Sequence, residues 1–387
     1  MKNDISAAIR YIGADDKDLD LFEGKYKVPE GVSYNSYVII DEKVAVMDTI
    51  DARKTSEWLS ALESELAGRT PDYLVVQHCE PDHLASLKAF VEKYPAAVVV
   101  GNAKTFPVID QFFEGLDLSS RKLVVKEGDC LSLGRHSLTF IMAPFVHWPE
   151  VMVSYESCEK VLFSADGFGK FGALEYETDD WDCEARRYYF NIVGKYGVQV
   201  QALLKKASAL DIKTIAPLHG PVLTGDLSHY IQQYDTWSSY RPETEGVFIA
   251  YASIYGNTAR AAQALAEILR SRGVKVAIAD LARDDRAEAL EDAFRYSKMV
   301  LASSTYDADI FTPMSDFIHD LQHKGYKSRR VALIENGSWA PVAAKKMREA
   351  LSTLKDVTVC DSVATIRSAF KTCDLASLEQ LADELLA

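Results

Sequence analysis

The spacing of apolar residues divides the chain into a mixed first part and a regular second part. In the first part, short apolar runs such as YNSYVII, KVAVMDT and DYLVVQH alternate with helical patterns, one of them over residues 52–67. Several apolar runs separated by turn residues follow over 121–167, before helical patterns from about residue 180 to 210. This order predicts two β-sheets sandwiched between helices.

The second part begins after the polar segment RPETEG at 241–246. Five apolar runs, GVFIAYAS, VKVAIADL, MVLASST, RRVALIEN and VTVCDS, each precede an amphipathic helical pattern. Five βα units in this order predict a doubly wound parallel sheet, which binds ligands at the carboxyl ends of its strands. We therefore expect two α/β domains, an αββα sandwich over 1–244 and a doubly wound sheet over 245–387.

Composition narrows the class of protein. The 387 residues carry a formal net charge of −14, and 48% of them are hydrophobic, which is ordinary for a folded, water-soluble protein. The acidic balance argues against a nucleic-acid partner, because phosphate backbones require a basic surface. No apolar run approaches the roughly 18 residues of a membrane span, and the first residues do not resemble a signal peptide. We expect a cytoplasmic protein that binds neither nucleic acid nor membrane.

The six cysteines form no C-x-x-C pair and no regular spacing. A disulfide framework or an iron site built from adjacent cysteines is therefore not expected. Reduced, buried thiols are the simpler interpretation. The cysteines thus leave the metal chemistry to other side chains.

Histidines and carboxylates stand where apolar runs end. Four potential ligands lie in the stretch HCEPDH, directly after the run YLVVQ, and three more follow other apolar runs. Strand ends place such side chains at one edge of a sheet. The seven candidates are His78, Glu80, Asp82, His83, His147, Asp166 and His219. Seven nitrogen and oxygen donors exceed the needs of a single zinc ion and predict a dinuclear centre with one bridging carboxylate.

The remaining histidines lack such a setting. We expect His136, His229, His319 and His323 to be exposed or capping side chains, because an isolated histidine is seldom a metal ligand. Cys79 lies between candidate ligands but alternates away from His78 and Glu80 along the chain. We expect Cys79 to be a packing residue.

A second set of polar residues follows the first strand of the second domain. Ser253, Ile254, Tyr255, Gly256, Asn257 and Thr258 lie between the run VFIAYA and a helical pattern. Hydroxyls, a glycine and free N–H groups at a helix N-terminus form a phosphate cradle. The loop has neither the lysine of a Walker loop nor G-x-G-x-x-G, which favours FMN, although an ordinary capping turn has the same composition. The loop resembles that of flavodoxins.

Two later loops fall where flavodoxins hold the isoalloxazine ring, after the runs MVLAS and VALIE. The resemblance implies that Tyr306 and Trp339 cover the faces of the ring. Backbone amides near Asp307 and Gly337 would bind its polar edge and adjust its potential. The residues of these two loops are Ser304, Thr305, Tyr306, Asp307, Asn336, Gly337, Ser338 and Trp339.

The pattern H-x-E-x-D-H, followed at a distance by H, D and H, resembles the metallo-β-lactamase-like domain of flavodiiron proteins. Hydrolases of the same superfamily carry H-x-H-x-D-H, whereas this chain has Glu80, an anionic oxygen donor that favours iron over zinc. The stretches SYNSYVIID, HWPEVMVSY and LFSADGFGKFG are similar to that family as well. The resemblance implies a metallo-β-lactamase-like domain followed by a flavodoxin-like domain.

The same resemblance implies a role for each candidate ligand. The ligands of one iron would be His78, Glu80 and His147. Those of the other iron would be Asp82, His83 and His219. Asp166 and a solvent oxygen would bridge the two ions, and the counterpart of His83 is not bound in every family member.

The aromatic residues near these ligands have two interpretations. Trp148, Phe168 and Phe171 follow strand ends close to His147 and Asp166 in sequence. They would line a dry pocket that admits a small apolar gas, or they would simply pack in the core. The two interpretations have about equal support from the sequence.

For activity, the resemblance implies reduction of dioxygen to water, of nitric oxide to nitrous oxide, or of both. FMN carries up to two electrons and two ferrous ions carry one each, which together are the four that dioxygen needs. The last helical pattern follows the fifth strand directly, so we expect a separate electron donor, rubredoxin or another. A head-to-tail homodimer or a homotetramer would bring the flavin of one subunit near the metal centre of its partner.

Two other functions fit parts of the sequence. One is a metal-dependent hydrolase fused to a flavodoxin domain, against which Glu80 and the electron-delivering domain argue. The other is a non-catalytic electron carrier or redox sensor with a structural diiron site. Iron-dependent reoxidation of the reduced flavin by one of the gases would distinguish the enzyme from this carrier.

Overall fold

The structure, a computed structural model, describes residues 4–177 and 180–387. It divides into two compact units, Met1–Asp235 and Thr236–Ala387. The polar segment at 241–246, from which a domain boundary between residues 244 and 245 was predicted, lies within the second unit. That boundary stays a prediction.

The first unit contains two six-stranded mixed sheets. The spatial order of the first sheet is Ile9–Tyr11, Tyr37–Ile40, Val44–Met47, Tyr73–Val75, Val98–Asn102 and Lys122–Val125. The order of the second is Cys130–Ser132, Ser137–Met142, Met152–Glu156, Val161–Phe163, Thr214–Ala216 and Leu223–Thr224. Two small antiparallel sheets of two strands each, which the sequence did not predict, pair Ala14–Asp16 with Val32–Tyr34 and Leu21–Phe22 with Tyr26–Lys27.

One apolar core joins the two sheets. Ile39 and Val100 enter it from the first sheet, and Phe140 and Phe163 enter it from the second. The four side chains are at most 1% exposed. Because alternate residues of a strand point to opposite faces, each sheet turns one face to the other sheet. The predicted pair of packed sheets is present.

Replacement of Phe140 by alanine is expected to lower the free energy of unfolding by about 3–5 kcal/mol, the range for removing a buried aromatic ring. The reason is that Phe140 is 0% exposed between the sheets. Chemical denaturation measures the change. Phe112, 46% exposed at the end of a helix, is the control, and Phe112→Ala should cost less than about 1 kcal/mol. Equal losses in the two variants would contradict this description of the core.

Every helical segment predicted for the first unit is present, with two interruptions. The predicted helices are Thr55–Leu66, Pro81–Leu84, Leu87–Lys93, Asp182–Tyr188 and Gly197–Ala207. Two further helices, Thr105–Phe112 and Ser228–Ser238, were not predicted, and the last residues of the second belong to the second unit. The helix expected to continue from Pro81 stops at Leu84 and resumes at Leu87. The later interruption follows a π-helical turn and contains Gly194, where a Cβ would approach the Phe190 backbone to 2.9 Å. A close backbone approach thus requires glycine there.

The second unit has the predicted doubly wound sheet. Its five parallel strands lie in the order Val276–Asp280, Thr244–Ala252, Tyr296–Tyr306, Arg329–Asn336 and Val357–Ile366. Its helices are Asn257–Ser271, Arg286–Arg295, Thr312–His323, Ala343–Leu351 and Leu375–Leu386. Numbered along the chain, the strand order is 2-1-3-4-5, the flavodoxin-like arrangement with its switch point between strands 1 and 3. Over the part of the chain that the structure describes, no helix is long and apolar enough to cross a bilayer.

Candidate metal and flavin sites

The seven predicted metal ligands meet at one edge of the first unit, in two groups. Each lies at or just beyond the end of a strand, except for two that the short helix Pro81–Leu84 carries. Pro81 suits the first turn of that helix because its missing N–H is not needed there. The chain therefore brings together residues from four separate loops.

The first group is His78, Glu80, His147 and Asp166. The Nε2 atom of His147 lies 2.9 Å from Glu80 Oε2 and 3.1 Å from Asp166 Oδ2. The Nε2 atom of His78 lies 3.3 and 3.2 Å from the same two oxygens. Donors about 2.1 Å from a common metal ion stand roughly 3 Å apart, so this group has the spacing of a ligand set.

The second group is Asp82, His83 and His219. Asp82 Oδ2 lies 3.3 Å from His83 Nε2 and 3.2 Å from His219 Nε2. The two imidazole nitrogens are 3.0 Å from each other. Two such nitrogens at this distance need a proton or a cation between them, so this group too has the arrangement of a metal site.

Asp166 joins the two groups. Its Oδ2 faces His78 and His147, whereas its Oδ1 lies 3.4 Å from His83 Nε2 and 3.7 Å from His219 Nε2. Asp166 is 1% exposed, and neither of its oxygens has a hydrogen-bond partner among the described residues apart from these imidazoles. A carboxylate that turns one oxygen to each ligand set has the geometry of a bridging ligand.

The charges of the site call for cations. Burial alone would raise the pKa of Asp166, but His78 and His147 hold it well below its usual range. Burial alone would lower the pKa of His147, but hydrogen bonds to Asp166 and Glu80 raise it to about 9. Three buried carboxylates without cations would be costly. Two divalent metal ions fit these donors and would replace the protons that otherwise balance the charge.

Three residues behind the ligands were not predicted as part of the site. Glu150 Oε1 lies 2.9 Å from His78 Nδ1, and the Ser33 carbonyl lies 2.7 Å from His219 Nδ1. The Asp48 carboxylate accepts the backbone N–H of His78 at 3.3 Å. Glu150 lies in the stretch HWPEVMVSY, but only its distance from His78, 72 positions earlier, shows its role. Such outer partners orient the ligands and influence the metal.

A third group of potential ligands, His136, Glu156 and Cys158, lies outside this site. The two ring nitrogens of His136 already face Asp41 and Glu159, and the Glu156 carboxylate accepts two backbone N–H groups. We therefore assign no metal to it. His136 is only 5% exposed, so the expectation of an exposed or capping histidine was wrong, because partners distant in sequence enclose it. His229, His319 and His323 are exposed, as expected.

The expectation of buried thiols was correct for Cys79 and Cys360 only. It was wrong for the half-buried Cys158 and for the exposed Cys130, Cys183 and Cys373, because the edge strand, turn and helix starts that carry them lie at the surface.

A His136→Asn variant is expected to lose most stability between about pH 4 and 6.5. Burial alone would lower the pKa of His136, but Asp41 and Glu159 raise it. Burial alone would raise the pKa of Asp41, but hydrogen bonds from His136 lower it. Because the pKa of His136 is raised, its contacts stabilise the fold at pH values below the unfolded pKa of histidine, near 6.5, and this contribution is lost as the pH rises further. Because the pKa of Asp41 is lowered, its contacts stabilise the fold at pH values above about 4.

Chemical denaturation of wild type and variant at about pH 5.5 and about pH 9 measures this difference. The His229→Asn variant is the control, because the pair of His229 with Asp182 is largely exposed and contributes little. An equal loss at the two pH values in His136→Asn would contradict the prediction.

A pocket of ≈ 380 Å³ adjoins the metal ligands. Glu80 and Asp82 line it together with Phe22 and Tyr34. Phe22 and Tyr34 come from the two small antiparallel sheets that were not predicted. The Phe22 ring meets the His219 ring edge-on at 5.3 Å between centroids. The pocket gives small molecules a route to the ligands.

The three predicted aromatic residues have different settings. Trp148 meets the His78 ring edge-on at 5.4 Å between centroids. Phe168 stacks on Tyr234 at 4.1 Å, and Phe171 packs against Tyr188 at 5.1 Å. Phe168 and Phe171 are buried in the core, whereas Trp148 lies beside the ligands.

Tyr188 adds a hydroxyl group that the sequence did not indicate. Its ring lies 5.5 Å from that of His219, and its hydroxyl is buried without a hydrogen-bond partner among the described residues. Burial, followed by the charges of Asp166 and Asp82, raises its pKa well above the ordinary value. Tyr188 is thus a neutral hydroxyl donor next to the metal ligands.

The first predicted flavin loop lies at the carboxyl end of strand Thr244–Ala252 in the second unit. Gly256 precedes helix Asn257–Ser271 with φ 85°, and no side chain caps the helix. The Ser253 hydroxyl accepts the Gly256 N–H at 3.1 Å. Ile254 and Tyr255 are exposed. The free N–H groups of this helix and the adjacent hydroxyls fit a phosphate group.

The other two predicted loops lie at the same end of the sheet. The Ser304 and Thr258 hydroxyls are 2.9 Å apart, which connects the first loop to the second. The Thr305 hydroxyl instead accepts N–H groups at the start of helix Ala343–Leu351. Asp307 has a positive φ of 49° at the turn after Tyr306.

The third loop is connected to a segment that was not predicted. The Asn336 amide donates to the Ser368 carbonyl, the Gly337 N–H to Ile366, and Ser338 pairs with Ser368. Residues 367–370 therefore form a fourth loop of the site. Tyr306 and Trp339 are 47% and 90% exposed, so two aromatic rings stand in solvent where the flavin is expected. Exposed aromatic rings beside a phosphate cradle fit FMN.

Comparisons with known proteins agree with both sites. The ODP family beta lactamase matches residues 32–220, and the flavodoxin family matches residues 249–382. A nitric oxide reductase of Moorella thermoacetica is 29% identical over 99% of this chain and 98% of its own. The rubredoxin oxygen:oxidoreductase of Desulfovibrio gigas has a TM-score of 0.92 at 25% identity, covering 100% of this chain and 98% of that chain.

A flavodiiron protein from Giardia intestinalis has a TM-score of 0.91 at 25% identity, covering 100% of this chain and 97% of that chain. These likenesses confirm the predicted fold class, a metallo-β-lactamase-like unit followed by a flavodoxin-like unit. They also agree with the cluster of histidines and carboxylates and with the exposed flavin loops. The chain belongs to the flavodiiron protein family, as an oxidoreductase with a diiron centre and FMN.

Proposed function

We propose that this chain reduces dioxygen to water, nitric oxide to nitrous oxide, or both, with electrons that arrive through FMN. The orientation of Asp166, with one oxygen toward each ligand set, carries the proposal. The similar proteins include one named for nitric oxide and one named for oxygen. We therefore keep both gases as candidate substrates.

The proposed ligands of one iron are His78, Glu80 and His147. Those of the other are Asp82, His83 and His219, with Asp166 and a solvent oxygen as bridges. Iron held by these residues would supply one-electron redox chemistry, and FMN held by the loops of the second unit would supply the electrons. The distances between these donors support the assignment, as does the lack of other hydrogen-bond partners for Asp166 among the described residues.

The residues of the chain itself have three tasks in this reaction. The carboxylates Glu80, Asp82 and Asp166 balance the charge of the cations. The pocket beside Glu80 and Asp82 admits the gas and the water molecules that deliver protons, four for each dioxygen or two for each pair of nitric oxide molecules. Tyr188 holds a hydroxyl proton beside the ligands, where it can donate a hydrogen bond to a bound gas.

The flavin is proposed to lie over the three predicted loops. Its phosphate would bind the helix start at Ser253, Gly256, Asn257 and Thr258, between the exposed side chains of Ile254 and Tyr255. The isoalloxazine would lie beside the later loops, 304–307 and 336–339, with Tyr306 and Trp339 on its faces. The hydroxyl pair of Thr258 and Ser304 supports a single site formed by these loops.

Further parts of the proposal concern the whole protein. We propose a rubredoxin-like or other external protein as the electron donor, a head-to-tail homodimer or homotetramer, and a cytoplasmic location. The name of the Desulfovibrio gigas protein, which includes rubredoxin, supports the donor. The domain boundary is proposed between residues 244 and 245.

The two alternatives are less well supported. A zinc hydrolase has no use for a flavin. In addition, the Glu80 carboxylate lies 2.9 Å from His147, whereas hydrolases of the same superfamily carry a histidine at the position of Glu80. A purely structural diiron site has no need of an adjacent pocket of ≈ 380 Å³. The enzyme is therefore the function that the geometry supports best.

The test is to purify the protein, measure its iron, zinc and FMN, reduce it without oxygen, and then add each gas separately. Rapid reoxidation of the flavin with consumption of one gas, only when iron is bound, is expected. A chain that holds zinc, or a reduced flavin that reacts with neither gas, would overturn the proposal.

A further inference from the structure

The two halves of the metal site differ in what lies behind their ligands. Behind His78, the Glu150 carboxylate accepts the Nδ1 proton at 2.9 Å and the Cys79 N–H at 3.0 Å, both with Oε1. Glu150 is 1% exposed. Its other oxygen has no hydrogen-bond partner among the described residues. A full negative charge is thus held against the ring of one ligand.

The other half has no comparable charge on its imidazole rings. His219 Nδ1 donates to the neutral carbonyl of Ser33 at 2.7 Å. His83 Nδ1 is buried and has no hydrogen-bond partner among the described residues. The outer contacts of the two histidine ligands of this half therefore leave their rings less electron-rich than the ring of His78.

The difference has a direct consequence for a redox metal. A carboxylate that accepts the outer proton of an imidazole makes the inner nitrogen a stronger donor. A stronger and more negative donor stabilises the ferric ion more than the ferrous ion, because the ferric ion has one more positive charge. The effect is large for a charge that is as buried as the Glu150 carboxylate, which is 1% exposed.

We propose that Glu150 is a positioning residue that makes the iron at His78, Glu80 and His147 the first of the two to be oxidised. The inference rests on the proposed diiron function. Removal of one electron from the diferrous protein by ferricyanide, which becomes ferrocyanide, would leave Fe³⁺ at the His78 side. Fe²⁺ would remain with Asp82, His83 and His219.

The orientation of Glu150 is well defined by its surroundings. The Glu150 carbonyl accepts the Asn102 side-chain amide, which holds the backbone behind His78. The Cys79 N–H fixes the carboxylate itself. A group held on both sides acts on His78 in a constant geometry, as an effect on the metal requires.

The experiment is a potentiometric titration of the iron-loaded, FMN-containing protein, followed by electron paramagnetic resonance. In Glu150→Gln, which keeps the size of the side chain and removes its charge, the potential of the first iron oxidation should rise. The flavin potentials should be unchanged. Iron should also be held about 10–100-fold less tightly, the usual effect of removing such an outer partner.

Mössbauer spectra of ⁵⁷Fe protein with diferrous iron and oxidised FMN, recorded after one equivalent of ferricyanide, provide the second readout. The wild type should show one ferric and one ferrous site, and Glu150→Gln should change the parameters of the ferric site. Glu156→Gln is the matched control, because the buried Glu156 carboxylate accepts two backbone N–H groups and lies outside the metal site. It should leave the first potential close to that of the wild type.

Glu150→Asp keeps the charge and moves it away by one methylene, so an intermediate potential is expected. This variant decides the question if Glu150→Gln does not retain iron. Iron-loaded variants with the potentials and spectra of the wild type, or an equal change in Glu156→Gln, would overturn the inference. A wild-type protein that binds zinc instead of iron would overturn the proposed function itself, which is a different outcome.

Discussion

Glu80→Ala and His147→Ala variants are expected to lose gas reduction by more than about 100-fold while retaining FMN. Changes behind metal ligands already cost 10–100-fold, and these changes remove ligands themselves. Glu80 Oε2 and His147 Nε2 lie 2.9 Å apart, so each variant opens the same metal position. The flavin loops belong to the other compact unit.

The measurement combines iron content, the flavin spectrum and gas consumption under anaerobic reduction. His229→Ala, at an exposed histidine of the same unit, is the control and should behave as the wild type. Loss of flavin in the Glu80 or His147 variants would count against separate metal and flavin units. Full activity in either variant would show that the metal ligands have been chosen wrongly.

The sequence was sufficient for the parts of this protein that follow a regular pattern. Alternating apolar runs predicted most of the strands, and the five βα units predicted the doubly wound sheet of the second unit, whose strand order came from the structure. Five of the seven candidate ligands stand at or just beyond a strand end, where a sheet gathers side chains from distant segments, and Asp82 and His83 follow on the short helix Pro81–Leu84. That rule places His219 beside Asp82, 137 positions earlier, with 3.2 Å between their atoms.

The contacts behind the ligands could not be predicted in the same way. Glu150 and Ser33 have no distinctive spacing, and their roles depend on the folded positions of His78 and His219. His136 shows the same limit, because its partners Asp41 and Glu159 lie 95 and 23 positions away along the chain. Tyr188 likewise reaches His219 from a helix. Pairwise contacts over long sequence separations have no periodic signal.

The flavin loops fall between these two cases. Their place at the strand ends was predicted, but Thr305 uses its hydroxyl to cap a helix, and the loop at 367–370 was missed. That loop follows the fifth strand, so the rule of strand ends would have found it. Its composition, RSAF, contains no glycine or residue pattern that marks a phosphate or ring contact.

An Asn257→Asp variant is expected to bind FMN on the order of 100-fold more weakly and to lose gas reduction while keeping its iron. Asn257 is the first residue of helix Asn257–Ser271, where the phosphate is proposed to bind. A carboxylate about 5 Å from the phosphate repels it by about 3 kcal/mol at an effective dielectric constant near 20. Since an acidic residue is favourable at a helix N-terminus, the fold itself should be unchanged or slightly more stable.

Fluorescence titration of the apoprotein with FMN measures the affinity, thermal unfolding monitors the fold, and Asn257→Ser is the uncharged control. Equal affinities in the two variants would place the phosphate elsewhere, whereas a weakening confined to Asn257→Asp would mean that charge at this helix start governs flavin binding.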